Sequence, residues 1–209
     1  MISERDLATE QLLKRGLQSR SSPSFALRRL KFLNPSAFLT IDSTQEYLKG
    51  MRTLHEGDFV LSRRQTEGRG RQGRKWFSDE GGLWLSLVLE PDRPSVLDGL
   101  ALAGARSILQ TFEGTGFALR GGSIKLPNDV LFEGRKIAGV LVDAEIREDK
   151  SIAFLGVGVN LNNDPTTNPE IGALATSYRN LTGREANISE FAILFLRAFD
   201  TIYAELCQI

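Results

Sequence analysis

The sequence predicts an α+β fold, a mixed β-sheet flanked by helices. Three observations carry this reading. Two apolar stretches, 137–146 and 151–161, flank the polar segment Arg147-Glu148-Asp149-Lys150, which is the pattern of a hairpin of two buried strands. Further apolar runs of strand length stand at 36–41, 58–63 and 83–90. Segments with helical spacing lie between and after them, so hairpins and helices are interspersed rather than wound as repeated βαβ units.

Leu7, Leu12, Leu13 and Leu17 form an apolar stripe, so 3–18 reads as a short amphipathic helix. Arg20-Ser21-Ser22-Pro23-Ser24 is a linker signal. The organisation expected is a helical extension and linker over 1–35, then one domain over 36–209. After the strand at 36–41, Ser43 and Glu46 have capping-box spacing and start a helix. The polar, Gly- and Arg-rich segment 64–82 reads as a long loop, a length that in compact domains usually marks function or disorder. Ser95 is placed as the cap of a helix over 95–112, with Asp98 three residues on. The stretch 124–132 reads as extended and interrupted by Pro127. A loop with Pro165 and Pro169 leads to a final helix over 188–206, whose stripe includes Phe191, Leu194, Phe195, Ala198, Phe199 and Ile202.

Composition excludes several function classes. With 26 Lys and Arg against 26 Asp and Glu in 209 residues, no bulk field draws the chain to DNA or a membrane. The single cysteine, Cys207, excludes an internal disulfide framework and a multi-cysteine zinc site. The single histidine, His55, sits among polar residues close to Gly57 and reads as a plain loop histidine. The N-terminus lacks the apolar core of a signal peptide, and no run approaches the roughly 20 apolar residues of a membrane span. The chain reads as cytoplasmic.

The segment Gly68-Arg69-Gly70-Arg71-Gln72-Gly73-Arg74-Lys75-Trp76 carries the strongest signal. It contains G-x-G-x-x-G, but a strand follows where a dinucleotide fingerprint needs a helix. It still suits an anion: the glycines allow close backbone approach, the three arginines offer planar forks, and Trp76 offers a flat face. By itself the loop equally fits a small phosphorylated ligand, an Arg/Gly-rich RNA-binding segment or a solvated surface. The second signal is Lys125 within Ile124-Lys125-Leu126-Pro127-Asn128-Asp129-Val130. A lone ammonium there either stabilises a developing oxyanion or is an ordinary salt-bridged strand lysine.

Taken together, GRGRQGRKW at 68–76, KLPNDV at 125–130, RKIAGVL at 135–141 and GVGVNLNN at 156–163 resemble biotin–protein ligases in order and approximate spacing. Ile41-Asp42-Ser43-Thr44-Gln45 resembles that family's Ser-Thr-Asn segment, and the resemblance covers about 36–205. It implies a fold related to class II aminoacyl-tRNA synthetases, with 36–209 as the catalytic domain. It also implies ATP and Mg²⁺ as cofactors and biotin as substrate. The reaction implied forms biotinyl-5'-AMP and pyrophosphate, then transfers biotin to a lysine of a biotin carboxyl carrier protein or similar acceptor domain.

Residue by residue, the resemblance implies that Ser43, Thr44, Gln65, Gly68, Arg69, Arg71, Lys125, Gly139, Leu141 and Gly156 form the biotin site, with Arg69, Arg71 and Lys125 reaching ATP as well. Arg71 is expected to hold the activated intermediate and Arg74 to bind phosphate. Trp76 is expected beside the adenine. Lys125 is expected at the reacting carboxylate and α-phosphate, and Asn160 near ATP and its magnesium. Leu126 and Gln45 stand where the family usually has Trp and Asn. The sequence shows no winged-helix DNA-binding pattern and no C-terminal β-barrel, so repression is not expected and acceptor handling is expected to be the weaker step. A homodimer stays open. The competing readings are a lipoate or octanoate ligase or transferase, a non-catalytic biotin- or adenylate-binding relative, and an RNA-binding module.

Overall fold

A computed structural model of the chain describes residues 4–18, 27–32, 34–147 and 150–208. It has one seven-stranded sheet, in the order β1 (Pro35–Ile41), β2 (Phe59–Gln65), β3 (Leu83–Leu89), β7 (Lys150–Val159), β6 (Arg135–Arg147), β5 (Asp129–Phe132) and β4 (Ser123–Lys125). The first pair is parallel and the others are antiparallel, so the sheet is mixed as the sequence predicts. The helices are α1 (Leu7–Gln18), α2 (Thr44–Lys49), α3 (Leu97–Glu113), α4 (Tyr178–Thr182) and α5 (Ile188–Gln208).

Strand alternation sorts the side chains onto two faces. On β3, Leu83, Leu85, Leu87 and Leu89 join the main core with Ala138, Val140, Leu155, Val157 and Val159. Helices α3 and α5 close over that face, and Phe191, Phe195, Phe199 and Tyr203 of α5 are fully buried in it. Burying each such side chain contributes about 1.5–3 kcal/mol before entropy is counted. The opposite face carries a smaller cluster of Phe38, Val60, Val88, Ile152 and Phe154 with Leu48 of α2.

The N-terminal segments pack on this framework. Leu13, Leu17, Leu30 and Phe32 belong to the main core. The buried carboxylate of Asp200 on α5 accepts backbone N–H groups of Arg28, Arg29 at 3.0 Å and Leu30 at 2.6 Å. The linker expected at 20–24 lies outside the described residues, as do Glu148 and Asp149 of the polar segment expected between the two long strands.

Three boundaries differ from the sequence reading. Helix α1 starts at Leu7, because the Asp6 carboxylate accepts the Thr9 N–H at 3.2 Å and so caps the helix there. Ser95 is not a cap: it sits inside a 3₁₀ turn, Pro94–Val96, that leads into α3. Pro94 takes the first position, where a missing N–H costs nothing. The 124–132 stretch is a small hairpin, β4 and β5, with Leu126 at its turn and 72% exposed. Ser43 does cap α2, accepting the Glu46 N–H at 3.4 Å, while the Glu46 side chain turns away to Arg69 and Lys49. His55 is exposed, with its backbone N–H on Asp58.

Candidate active site

On the face opposite the main core, the centre of the sheet has glycines in place of side chains of its own. Directly paired residues share a face, so the register reads as cross-strand rows. One row runs Val60, Ser86, Gly156, Leu141. The next runs Ser62, Trp84, Gly158, Gly139, Asp129, Lys125. Glycine occupies the centre of both rows. A Cβ on Gly156 would collide with Gln45 Oε1, and one on Gly158 would fall 2.5 Å from Trp76 Nε1. A Cβ on Gly139 would stand 3.1 Å from both Trp76 Cζ3 and Lys136 Nζ. The glycines therefore make a floor on which Gln45 and Trp76 rest against backbone.

The Arg/Gly segment folds back over this floor as an irregular hairpin, not as an open loop. Gln65 bridges Ser78 and Arg69 bridges Lys75, with the Trp76 N–H donating to Gly68 O at 2.9 Å. The tip is a 3₁₀ turn, Arg71–Gly73, in which Gln72 and Gly73 both have positive φ (59° and 73°). Gly68 is required by close approach, because a Cβ would strike Ser78 Oγ and Trp76 O. Gln65 ties the parts together. Its Oε1 accepts the Thr44 N–H at 2.8 Å and the Thr44 hydroxyl at 2.9 Å, and its Nε2 donates to Ser78 Oγ at 2.8 Å. Thr44 Oγ1 also meets Ser86 Oγ at 2.8 Å, so a polar chain links α2, β2, β3 and the hairpin.

The profile of the biotin/lipoate A/B protein ligase family matches residues 37–160. This chain belongs to that family. It is 35% identical over 176 residues to the biotin–[acetyl-CoA-carboxylase] ligase of Paracoccus denitrificans, covering 79% of this chain and 71% of that protein. It is 34% identical over 154 residues to the bifunctional ligase/repressor BirA of Bacillus subtilis, covering 72% of this chain and 47% of that protein. The chain thus spans about half the length of the latter relative. A solved biotin protein ligase from Aquifex aeolicus, in complex with biotin and ATP, superposes with a TM-score of 0.74 at 34% identity. The superposition covers 84% of this chain and 72% of that one.

The charged groups of this family member surround the floor. Arg69 pairs with Glu46 at 2.6 Å, and Arg71 donates to Asn128 Oδ1 at 3.0 Å. Asn128 in turn donates to Val140 O at 2.8 Å, which docks the hairpin tip on the β4–β5 turn. Arg74 is exposed and donates to Arg71 O at 3.3 Å. Lys125 is exposed at the end of the Gly158–Gly139 row. Lys49 borders the floor. Burial pulls its pKa down, but the ion pairs with Asp143 and Glu46 outweigh that and hold it above its ordinary value.

The sequence-predicted residues Thr44, Gln65, Gly68, Trp76, Lys125, Gly139, Leu141 and Gly156 meet around one floor. Ser43 is buried at the head of α2 and spends its hydroxyl on the cap. Asn160 directly follows β7, two residues past Gly158, and is 4% exposed, donating to Thr176 O at 3.1 Å and accepting from Asn163 at 2.9 Å. Sequence reasoning missed Gly158, Ser86, Asn128, Asp129 and Lys136. Lys136 forms an ion pair with Asp129 at 2.6 Å and lies 4.8 Å from the Trp76 ring centroid. Gly158 and Lys136 stand inside the quoted GVGVNLNN and RKIAGVL segments, the one signal that marked them.

Proposed function

We propose that this chain is an ATP-dependent biotin–protein ligase. The observation that carries the reading is the glycine floor, roofed by a hairpin bearing three arginines and edged by Lys125. Strand positions without side chains of their own let Gln45 and Trp76 lie close on the sheet and shape a flat site beside them for a fused-ring head group. A carboxylate beside a triphosphate needs concentrated positive charge. Thr44 and Gln65 supply polar contacts for the ureido ring, with Ser43 at the helix head. Gly68, Gly139, Leu141 and Gly156 shape the site. Trp76 offers its face to adenine, while Arg69, Arg71, Arg74 and Lys125 balance the phosphates.

The biotin carboxylate attacks the α-phosphorus of ATP and pyrophosphate leaves, giving biotinyl-5'-AMP. The ε-amine of an acceptor lysine, on a biotin carboxyl carrier protein or similar domain, then attacks the acyl carbon. AMP leaves and an amide forms. Lys125 lowers the barrier by meeting charge on the reacting oxygens, and Arg71 retains the mixed anhydride. Among the described residues no group of three or more His, Cys, Asp or Glu is arranged to hold a metal. Mg²⁺ would arrive on the ATP phosphates and supply charge there, and Asn160 Oδ1, which accepts from Asn163, would have a second lone pair to offer it. No described helix is long and apolar enough to cross a membrane.

The test is to incubate the chain with biotin, ATP and Mg²⁺ and measure biotinyl-AMP and pyrophosphate. Biotin is expected to support the reaction, and Lys125→Ala to lose it by at least about a hundredfold with the fold intact. Adenylate from lipoate or octanoate but not biotin would move the chain to the other branch of its family. No adenylate from any of them would leave a binding protein.

A further inference from the structure

Asp129 lies between two lysines on the floor's edge. Lys125 is its direct partner across the β4–β5 ladder, on the same face. Opposite charges at such positions pair readily, since their Cβ atoms are about 4.5–5.5 Å apart. Yet Asp129 is paired elsewhere: Lys136 Nζ stands 2.6 Å from its Oδ1. That oxygen is buried and takes no hydrogen bond among the described residues, so the ammonium is its charge partner. Lys125 makes no ion pair among the described residues.

Lys136 is held in this position from three sides. Its backbone N–H donates to Leu174 O at 2.8 Å and its carbonyl accepts from Thr176 at 2.9 Å. Its ammonium lies over the Trp76 ring, and the bare backbone of Gly139 makes room for the end of the chain. The bulge between Val130 and Leu131 shifts the β5–β6 register, which brings Lys136, not a neighbour, to Asp129.

We propose that Lys136 is a positioning residue that occupies Asp129 and so keeps Lys125 free for the reacting anion. The role rests on the ligase reading, in which Lys125 meets the carboxylate and α-phosphate. Without Lys136, the Asp129 carboxylate turns to its ladder partner and neutralises it. Lys136→Met keeps the aliphatic stem on Trp76 and the backbone bonds, so the fold is retained. Lys136→Arg keeps Asp129 occupied.

The test reads Lys125 directly. The purified chain and its variants are treated briefly with an amine-acetylating reagent, and modification of Lys125 is followed by peptide mass spectrometry. In Lys136→Met, labelling of Lys125 is expected to slow about threefold, the scale of a part-exposed ion pair. Labelling is expected to match wild type in Lys136→Arg, and to return in the double variant Lys136→Met/Asp129→Asn, where no carboxylate remains to capture Lys125. The kcat for pyrophosphate release is expected to fall about tenfold in Lys136→Met, with biotin KM changed less, and to recover in the double variant. Equal Lys125 labelling in wild type and Lys136→Met overturns the proposal, and so does a double variant that stays slow. A wild-type chain that makes no adenylate refutes the ligase reading instead, and leaves the labelling result to be read by itself.

Discussion

At the scale of single residues, the floor depends on what glycine lacks. Gly158 has ordinary strand φ, so its constraint is the indole 2.5 Å above its missing Cβ and not the backbone. Gly158→Ala is therefore expected to fold, displace Trp76 and weaken ATP. Overpacking of this kind costs about 1–3 kcal/mol, so the KM for ATP is expected to rise on the order of tenfold. Gly116→Ala is the control, because its added Cβ would meet only Leu194 and Glu190 at 3.6 and 3.7 Å. Steady-state kinetics of both variants, with Trp76 fluorescence, check this; equal ATP KM values would show that Trp76 does not read the nucleotide. The importance of Gly139 and Gly156 was legible through the motifs that contain them. The Asp129–Lys136 pair was not, because it depends on a register shift in β5–β6 that no local pattern announces.

At the scale of elements, the Arg/Gly segment shows how far composition reaches. Gly, Arg and few apolar anchors predict a long loop, and the tip does carry exposed Arg71, Arg74 and Lys75. The hairpin form comes from tertiary partners: Gln65 is gripped by Thr44 and Ser78, and Arg71 by Asn128. These are few, part-exposed contacts, so the tip is expected to open locally at low cost. Four like charges between Arg69 and Lys75 add repulsion that a phosphate would relieve. Trypsin is expected to cut first at Arg71, Arg74 or Lys75, and an unreactive biotinyl-AMP analogue to slow that cleavage several-fold. Equal rates with and without the analogue would show that the hairpin does not close on the intermediate. The Ser95 cap failed for an element-scale reason too, since Pro94 began a 3₁₀ turn one residue earlier.

At the scale of the whole molecule, α1 is joined to the sheet through charge as well as packing. Asp6 is 7% exposed, and Thr9 and Arg63 both donate to its carboxylate. Burial pushes its pKa up, but the hydrogen bonds from Thr9 and Arg63 outweigh that and hold it below the usual carboxylate range. A folded pKa below the unfolded one means that the ionised form favours the folded state. The stabilisation is therefore complete above the unfolded pKa and is lost as pH falls through the folded one. Asp6→Asn keeps an oxygen to cap the helix but removes the charge that meets Arg63. It is therefore expected to be less stable than wild type near neutral pH, by roughly 0.5–1 kcal/mol, with the gap closing in acid. Denaturant unfolding of both chains at neutral pH and below pH 4 checks this; a gap that stays constant would mean that Asp6 acts by packing alone. The sequence alone determined the fold class, the long strands and helices and the family, because alternation, helical stripes and motif order are local and survive in one dimension. Only the tertiary structure decided which residues share the floor, which lysine Asp129 takes, and that Asn160 spends its side chain on its neighbours. Those outcomes depend on strand register and on competition between partners far apart in the chain, such as Lys136 and Trp76, and a linear pattern does not encode who wins.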